Sequence, residues 1–189
     1  MDVSVSAGLK FTDTPAYKRE MDDAVDAARK FCVDYQNKHE DAKNLAVVFD
    51  IDETILDNRP FLRSKTDINP KEFFAWVAKG DDPPLEPVAL LNEWARANGF
   101  AVFLITSRYE ELRLPTIMNL VKAGIAYDGL YMAPNGYLGP AEAVKTAHRK
   151  AIEDMGFTIV ENVGDQDSDL VGGYSLDCEK LPNKMYFVP

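Results

Sequence analysis

Short apolar runs alternate with helix-length amphipathic segments along this chain, and the alternation restricts the folds open to it. The first run, Leu45 to Phe49, is rich in β-branched residues and has the length of a strand buried on both faces. Similar runs predict strands at residues 100–105, 129–132, 157–163 and 185–188. Helical patterns occupy residues 15–37, 88–98, 110–123 and 141–155.

This order predicts an α/β protein with a parallel sheet covered by helices on both faces. Right-handed crossovers between parallel strands produce that arrangement, and ligands then bind outside the carboxyl ends of the strands. Residues 58–87 break the pattern with aromatic residues, several prolines and the acidic pair Asp81 and Asp82. We interpret this segment as a small cap inserted above the site of a single domain, whose core is residues 1–57 and 88–189.

Composition restricts the partners. The 189 residues carry a formal net charge of −10, which argues against a broad basic face for nucleic-acid polymers or anionic membranes. No apolar run approaches the roughly twenty residues of a membrane span, and residues 1–10 do not have the pattern of a leader peptide. A small ligand is the expected partner.

For Cys32 and Cys178 we expect two buried thiols, with a single bridge left open in an oxidising compartment.

Two carboxylates follow the first predicted strand, in the segment Asp50-Ile51-Asp52-Glu53-Thr54. Such a pair can divide the work of phosphoryl transfer, because one carboxylate attacks phosphorus while the other moves protons. We predict that Asp50 is the nucleophile. Asp52 would protonate the leaving alcohol and then accept a proton from the hydrolytic water. The alternative is a solvated turn in which Asp52 caps a helix.

A second acidic segment, Gly164-Asp165-Gln166-Asp167-Ser168-Asp169, follows the fourth predicted strand. A carboxylate and a phosphate dianion repel each other, so the reaction needs an intervening cation. Hard oxygen ligands gathered from this segment and from Asp50 favour Mg²⁺. Asp165 is the preferred ligand, and Asp169 is either a further ligand or a holder of metal-bound water. Taken alone, an acidic loop that caps the next turn is the simpler interpretation.

Three more polar residues are candidates for contact with a phosphate group. Thr106 ends the second predicted strand, where its hydroxyl could hold a phosphoryl oxygen, although such a residue is more often a helix N-cap. Lys145 precedes the fourth strand and could neutralise developing negative charge. Arg149 lies one helical turn further on and has either a supporting role or a place on a solvated basic face.

The predicted cap contains four large aromatic residues: Phe61, Phe73, Phe74 and Trp76. Exposed rings above the site could stack on a nucleobase or an aromatic leaving group. The alternative is packing within the cap, because a small insertion also needs buried rings to stay folded. The cap therefore suggests nucleotides as one class of substrate without deciding it.

The ordered set of strand-Asp-x-Asp, strand-Thr, Lys and Gly-Asp with a further Asp resembles the haloacid dehalogenase-like hydrolase superfamily. The longer segments 47–58 and 162–166 and the ending Lys180-Leu181-Pro182-Asn183-Lys184-Met185-Tyr186-Phe187 are similar to subfamily IIIB acid phosphatases. That group includes bacterial class C acid phosphatases and plant vegetative storage proteins. The resemblance extends from about Thr14 to the end of the chain and is weakest in the insertion.

The resemblance implies a Rossmann-like core with a small cap and Mg²⁺-dependent hydrolysis of phosphomonoesters, often nucleotides. It implies that Asp50 is the nucleophile, Asp52 the acid/base, and Thr106 and Lys145 the phosphate-binding residues. Asp50, Asp52 and Asp165 would coordinate the metal, with Asp52 doing so through its backbone carbonyl. Family members are commonly periplasmic or secreted, which implies a leader missing from this chain; the alternative is a cytoplasmic location.

Three other functions remain open from the sequence. Some storage relatives have lost the nucleophile, although this chain retains Asp50. A phosphoacceptor receiver domain also combines Asp, Thr or Ser and Lys at strand ends, but it gains nothing from a neighbouring proton donor such as Asp52. A phosphotransferase that passes the phosphoryl group to an alcohol is the nearest enzymatic alternative. The oligomeric state is not predicted.

Overall fold

The computed structural model describes residues 3–65 and 69–188, with only the main chain described for residues 3 and 4. The helices are α1 (Val3–Thr12), α2 (Pro15–Lys38), α3 (Arg59–Arg63), α4 (Pro70–Val77), α5 (Glu86–Ala97), α6 (Arg113–Lys122), α7 (Ala141–Asp154) and α8 (Asp167–Leu170). A 3₁₀ turn at Glu110–Leu112 precedes α6. The strands are β1 (Leu45–Phe49), β2 (Ala101–Tyr109), β3 (Gly129–Ala133), β4 (Thr158–Gly164) and β5 (Asp177–Lys180).

The five strands form one parallel sheet in the order β3-β2-β1-β4-β5. All residues of β1 are buried, and successive side chains face opposite sides. Val47 and Phe49 join a core that contains residues of α2 and α5, whereas Ala46 and Val48 join a smaller core with Ile152 of α7. Helices therefore cover both faces, which confirms the predicted α/β fold.

Most predicted elements lie where the sequence places them. The helix predicted at 15–37 is α2, and Thr14 caps it by accepting a hydrogen bond from the Tyr17 N–H at 3.2 Å. Gly99 and Gly124 follow α5 and α6 with φ values of 85° and 73°, a backbone region that side chains with a Cβ disfavour. The segment predicted as one helix at 110–123 begins instead with the 3₁₀ turn.

The predicted strand at Met185–Val188 is wrong, and the fifth strand is β5 at Asp177–Lys180. This strand lies at the sheet edge, where only one neighbour and partial burial are available, so its sequence contains no apolar run. The 185–188 segment is apolar for another reason. Met185 packs with Leu9 of α1 and Phe61 of α3.

Two other expectations need correction. The helix α1 was not predicted, and Gly8 of this helix packs so closely on Lys184 that an added Cβ would lie 2.2 Å from its carbonyl oxygen. Cys32 is buried as expected, but Cys178 is exposed on β5. Both thiols are free in the part of the chain that the structure describes.

The predicted cap contains α3 and α4, and residues 66–68 of it lie outside the described part of the chain. Its end is tied to the loop after β1, because the Asp57 N–H donates to Pro83 O and the Leu85 N–H donates to Ile55 O, both at 2.9 Å. The division into core and cap remains a prediction. Among the helices described, none has the length and apolar character needed to span a membrane.

Candidate active site

The carboxyl ends of β1, β2 and β4 open into a cavity of about 740 Å³. Asp50 and Asp52 follow β1, and Asp165 follows β4, so parallel strands bring these separate segments to one edge of the sheet. Lys145 reaches the same cavity from α7. Residues that are 95 positions apart in sequence, Asp50 and Lys145, are thus in direct contact.

Three buried carboxylates form a cluster at the base of this cavity. Asp50, Asp165 and Asp169 each offer an oxygen, and these oxygens all lie within 4.8 Å of one another. The Lys145 ammonium contacts two of them, lying 2.6 Å from Asp50 Oδ1 and also bonded to Asp169. Three acidic groups against one base leave a surplus of negative charge in a buried place, so the cluster suits a divalent cation with a preference for oxygen ligands.

The buried charges perturb one another. Burial raises the pKa of Asp50 well above its usual range, the negative charge of Asp169 raises it further, and Lys145 opposes both effects. Burial and Asp169 likewise raise the pKa of Asp165 to about 6. Burial would lower the pKa of Lys145, but Asp50 and Asp169 outweigh it and the net shift is upward. Lys145 is therefore a fixed positive charge in the site.

Neighbouring residues hold Asp165 in place. Its Oδ2 accepts hydrogen bonds from Asn183 at 2.7 Å and from Gln166 at 2.6 Å, and its Oδ1 accepts one from Thr54 at 3.2 Å. Asn183 belongs to the C-terminal segment that follows β5. This segment therefore supports the carboxylate cluster.

The side chain of Asp52 points to a different set of partners. Arg108 donates to it through Nε, at 3.2 Å from Oδ1 and 3.1 Å from Oδ2, and through Nη2 at 2.7 Å from Oδ1. Asn58 adds a hydrogen bond at 2.8 Å. Burial raises the pKa of Asp52, but the charge and hydrogen bonds of Arg108 and the bond from Asn58 outweigh it, so the pKa lies below its usual value. The Asp52 side chain is thus separate from the cluster of three carboxylates.

Arg108 and Asp82 complete this part of the site, and neither was predicted from the sequence to have a role there. The Arg108 guanidinium is 2% exposed and lies 3.0 Å from Asp82 Oδ2, while its Nη1 donates to Thr116 at 3.3 Å. Burial, opposed by Arg108, raises the pKa of Asp82 to about 6. A signal for Arg108 was present, because it stands two residues after Thr106 on the same strand and therefore on the same face.

Thr106 and Arg149, the other two predicted phosphate contacts, are not among the residues that line the cavity. Thr106 is fully buried, and its hydroxyl accepts a hydrogen bond from the Arg108 N–H at 3.1 Å. Ser107, rather than Thr106, lines the cavity. Arg149 is buried beneath the loop after β4, where Nη1 donates to Asp169 O at 2.6 Å. It therefore orders the main chain that presents Asp169.

Glu53 is a further buried acid in the loop that follows β1. It has a positive φ of 56°, accepts a hydrogen bond from the Asn58 N–H at 2.8 Å and contacts the Tyr186 hydroxyl. Burial, strengthened by Asp52 and Asp165, raises its pKa well above the usual range. Glu53 thus links the loop after β1 to the C-terminal segment.

The four aromatic residues of the predicted cap divide into two pairs. Phe73 and Phe74 line the cavity, and the Phe74 ring lies 5.5 Å from that of Tyr109. Phe61 and Trp76 pack on each other with ring centroids 5.7 Å apart, and the Trp76 indole donates to Asn58 at 3.1 Å. The second pair supports the cap and Asn58, and neither of its members lines the cavity.

A parallel sheet with an Asp-rich cluster and a lysine at its carboxyl edge is the arrangement expected of a hydrolase of the haloacid dehalogenase type. The model of the HAD superfamily, subfamily IIIB (Acid phosphatase), matches residues 5–189, so the chain belongs to this family. It is therefore a phosphomonoesterase. This membership confirms the resemblance found in the sequence.

Several characterised proteins are similar to this chain. Acid phosphatase 1 of Solanum lycopersicum is 35% identical over 186 residues, which cover 92% of this chain and 70% of that protein. Vegetative storage protein 1 of Arabidopsis thaliana is 27% identical, with 100% of this chain and 77% of that protein covered. The class C acid phosphatase from Bacillus anthracis with tungstate bound has a TM-score of 0.77 at 17% identity, with 99% and 87% of the two chains covered.

Proposed function

We propose that this protein hydrolyses small phosphomonoesters in a Mg²⁺-dependent reaction that passes through an aspartyl phosphate on Asp50. The observation that carries the proposal is the buried cluster of Asp50, Asp165 and Asp169 against Lys145 at the base of the cavity. The cluster combines a nucleophilic carboxylate with hard oxygen ligands and a fixed positive charge.

Asp50, Asp165 and Asp169 are the side chains that would hold Mg²⁺, and the backbone carbonyl of Asp52 is a further candidate ligand. When bound, the ion supplies positive charge that offsets the repulsion between a carboxylate and a phosphate dianion. Lys145 supplies a second positive charge next to Asp50 Oδ1. Together they permit an anionic nucleophile and an anionic substrate to share one cavity.

The proposed reaction has two steps. An oxygen of Asp50 attacks phosphorus and forms the acyl phosphate, while the bond from phosphorus to the ester oxygen breaks and Asp52 gives that oxygen a proton. Water then attacks the acyl phosphate, Asp52 takes a proton from that water, and Asp50 and inorganic phosphate are released. Hydrogen bonds from Arg108 and Asn58 fix the orientation of the Asp52 carboxyl on the cavity wall. They also lower its pKa in the resting protein, and the negative charge of a bound phosphate opposes that effect, which favours the protonated form needed in the first step.

The test measures p-nitrophenol release from p-nitrophenyl phosphate at mildly acidic to neutral pH, first with Mg²⁺ and then with a chelator. We expect turnover to disappear with chelator and return when Mg²⁺ is added in excess. We also expect Mg²⁺ to raise the melting temperature, because the ion binds the folded cluster and not the unfolded chain. Full activity in chelator would contradict the metal requirement.

The same assay separates the alternatives. A wild-type protein that binds Mg²⁺ but releases no product from several phosphomonoesters would favour storage or phosphoacceptance over hydrolysis. Addition of alcohols tests phosphotransfer, because a transferase would form a new ester and release less inorganic phosphate than p-nitrophenol. We place the protein in an exported compartment as part of this proposal, and fractionation of the source cells would test that location.

Phe74 and Phe73 support nucleoside monophosphates as one substrate class. The Phe74 ring, already 5.5 Å from Tyr109, offers a face on the cavity wall for stacking with a base. We expect Phe74→Ala to lower kcat/KM for nucleoside monophosphates about 10-fold, because stacking contributes on the order of 1–3 kcal/mol per base. Glycerol phosphate, which has no ring, is the control substrate. An equal loss on both substrates would contradict stacking at Phe74.

A further inference from the structure

A buried acidic residue outside the carboxylate cluster contacts the guanidinium that holds Asp52. Asp82 has a side-chain exposure of 0%, and its Oδ2 lies 3.0 Å from Arg108 Nη2. The same Nη2 donates to Asp52 Oδ1 at 2.7 Å. One nitrogen of Arg108 therefore lies between the two carboxylates, and the position of the guanidinium depends on both.

The Asp82 backbone is anchored independently of its side chain. Its N–H donates to Asn119 Oδ1 at 3.0 Å, and its carbonyl accepts from Asn119 Nδ2 at 2.7 Å. The side chain contributes little to this anchorage. Its Oδ1 is buried without a hydrogen-bond partner among the described residues, which disfavours folding. Packing alone thus gives no reason for a carboxylate here, whereas the contact with Arg108 does.

We propose that Asp82 is a positioning residue for proton transfer to the leaving group. It holds Arg108 in the orientation in which Nε and Nη2 both donate to Asp52, and it thereby orients the carboxyl that protonates the ester oxygen. Thr116 holds the opposite nitrogen at 3.3 Å, so the guanidinium is fixed on both sides. This inference rests on the proposed function, because it assigns the Asp52 carboxyl its role as the acid.

The dependence of the rate on the leaving group tests this role. p-Nitrophenolate leaves without help from an acid, whereas the more basic phenolate needs a proton. We expect Asp82→Ala to lower kcat/KM for phenyl phosphate about 10-fold and for p-nitrophenyl phosphate less than about 3-fold, because only the first ester depends strongly on the orientation of Asp52. Asp82→Asn, which keeps an acceptor for Nη2, should recover most of the lost rate.

Asp81→Asn is the matched control. Asp81 is the exposed neighbour, paired with Lys122 on the surface, and its loss removes the same charge. We expect this variant to retain the wild-type ratio between the two esters. A loss in Asp82→Ala that is equal for both esters, or no loss for either, would overturn the proposal.

A measurement on the resting protein separates this inference from the proposed function. Arg108 Nε–H is buried and bonded to Asp52, so its NMR signal, assigned by its disappearance in Arg108→Lys, should exchange slowly with solvent. We expect Asp82→Ala to accelerate that exchange at least about 10-fold, because the guanidinium loses one support. Unchanged exchange would overturn the positioning role even if both esters are hydrolysed. Faster exchange in a protein that hydrolyses neither ester would instead contradict the proposed function.

Discussion

Replacement of Asp50 by asparagine is expected to lower kcat for p-nitrophenyl phosphate on the order of 10⁴-fold or more, because an amide does not attack phosphorus. The substitution keeps the shape of the side chain. It also leaves Lys145 bonded to Asp169, so the ammonium retains a buried partner. The measurement is steady-state turnover with saturating Mg²⁺, together with intact mass after acid quenching, in which a phosphorylated form should appear for the wild type only.

Two controls separate loss of the nucleophile from loss of the fold. Asp50→Asn removes one of three clustered carboxylates, so we expect the melting temperature in chelator to stay equal or rise as repulsion falls. Asp167→Asn removes a charge from the same loop as Asp165, but its side chain is exposed and paired with Lys180. This variant should keep near-wild-type turnover. A folded Asp50→Asn protein with turnover within about tenfold of the wild type would place the nucleophile elsewhere.

The fold was predictable where local sequence and burial coincide. The apolar pattern of β1 reflects burial on both faces, and its predicted bounds, Leu45 to Phe49, are those observed. The edge strand β5 has exposed and half-buried residues in alternation, so hydrogen bonding to β4 defines it rather than a run of apolar residues. The apolar residues that suggested a strand at 185–188 pack against α1 and α3 instead.

The candidate site was predictable for residues at strand ends and less so for their partners. Sheet topology alone brings Asp50, Asp52 and Asp165 together once the strands are known to be parallel. Arg108 and Asp82 are 26 positions apart, and their contact depends on how the end of the insertion folds back on β2. No periodic pattern in the sequence predicts the contact between Arg108 and Asp82. The division of the four aromatic residues has the same origin, because which rings face the cavity depends on the path of α3 and α4.

Glu161, a buried acid that is not part of the carboxylate cluster, gives the second large expected effect, a change in the free energy of unfolding. Glu161 lies within β4, opposite Asp177 in the register with β5 and Val47 in the register with β1. It has no exposed surface, and its Oε2 lacks a hydrogen-bond partner in the described part of the chain. Burial, reinforced by Asp177 and Glu179 and opposed by the Asn162 N–H, raises the pKa of Glu161 to about 9. The carboxyl is therefore protonated in the folded protein at neutral pH.

The raised pKa of Glu161 determines how this residue changes the free energy of unfolding as the pH changes. Between the ordinary value of 4.5 and about 9, the folded state holds a proton that the unfolded state has lost. The free energy of unfolding consequently falls as the pH rises through that window and levels off above it. At pH 7 the cost relative to a residue that never ionises is roughly 3 kcal/mol. Below the ordinary pKa there is no such cost.

Glu161→Gln is expected to stabilise the protein at pH 7 by about 2 kcal/mol. The amide removes the cost of protonation but adds a buried donor without a partner, which reduces the gain. For a chain of this length the melting temperature should rise by about 5 °C. The gain should shrink towards zero at pH 5 and exceed its pH 7 value at pH 8. Glu93→Gln, an exposed substitution of the same kind on α5, should leave the melting temperature unchanged within about 1 °C.

The test depends on how the difference in stability between Glu161→Gln and wild type changes with pH. The wild type alone is not informative, because other buried acids also change its stability with pH. Asp50, Glu53 and Asp165 are common to both proteins, so their contributions cancel in the difference between Glu161→Gln and wild type. A difference that is the same at pH 5 and pH 8 would mean that Glu161 does not titrate on unfolding in this range. A difference that grows with pH identifies Glu161 as a protonated acid within the sheet, whose removal stabilises the fold without touching the cavity.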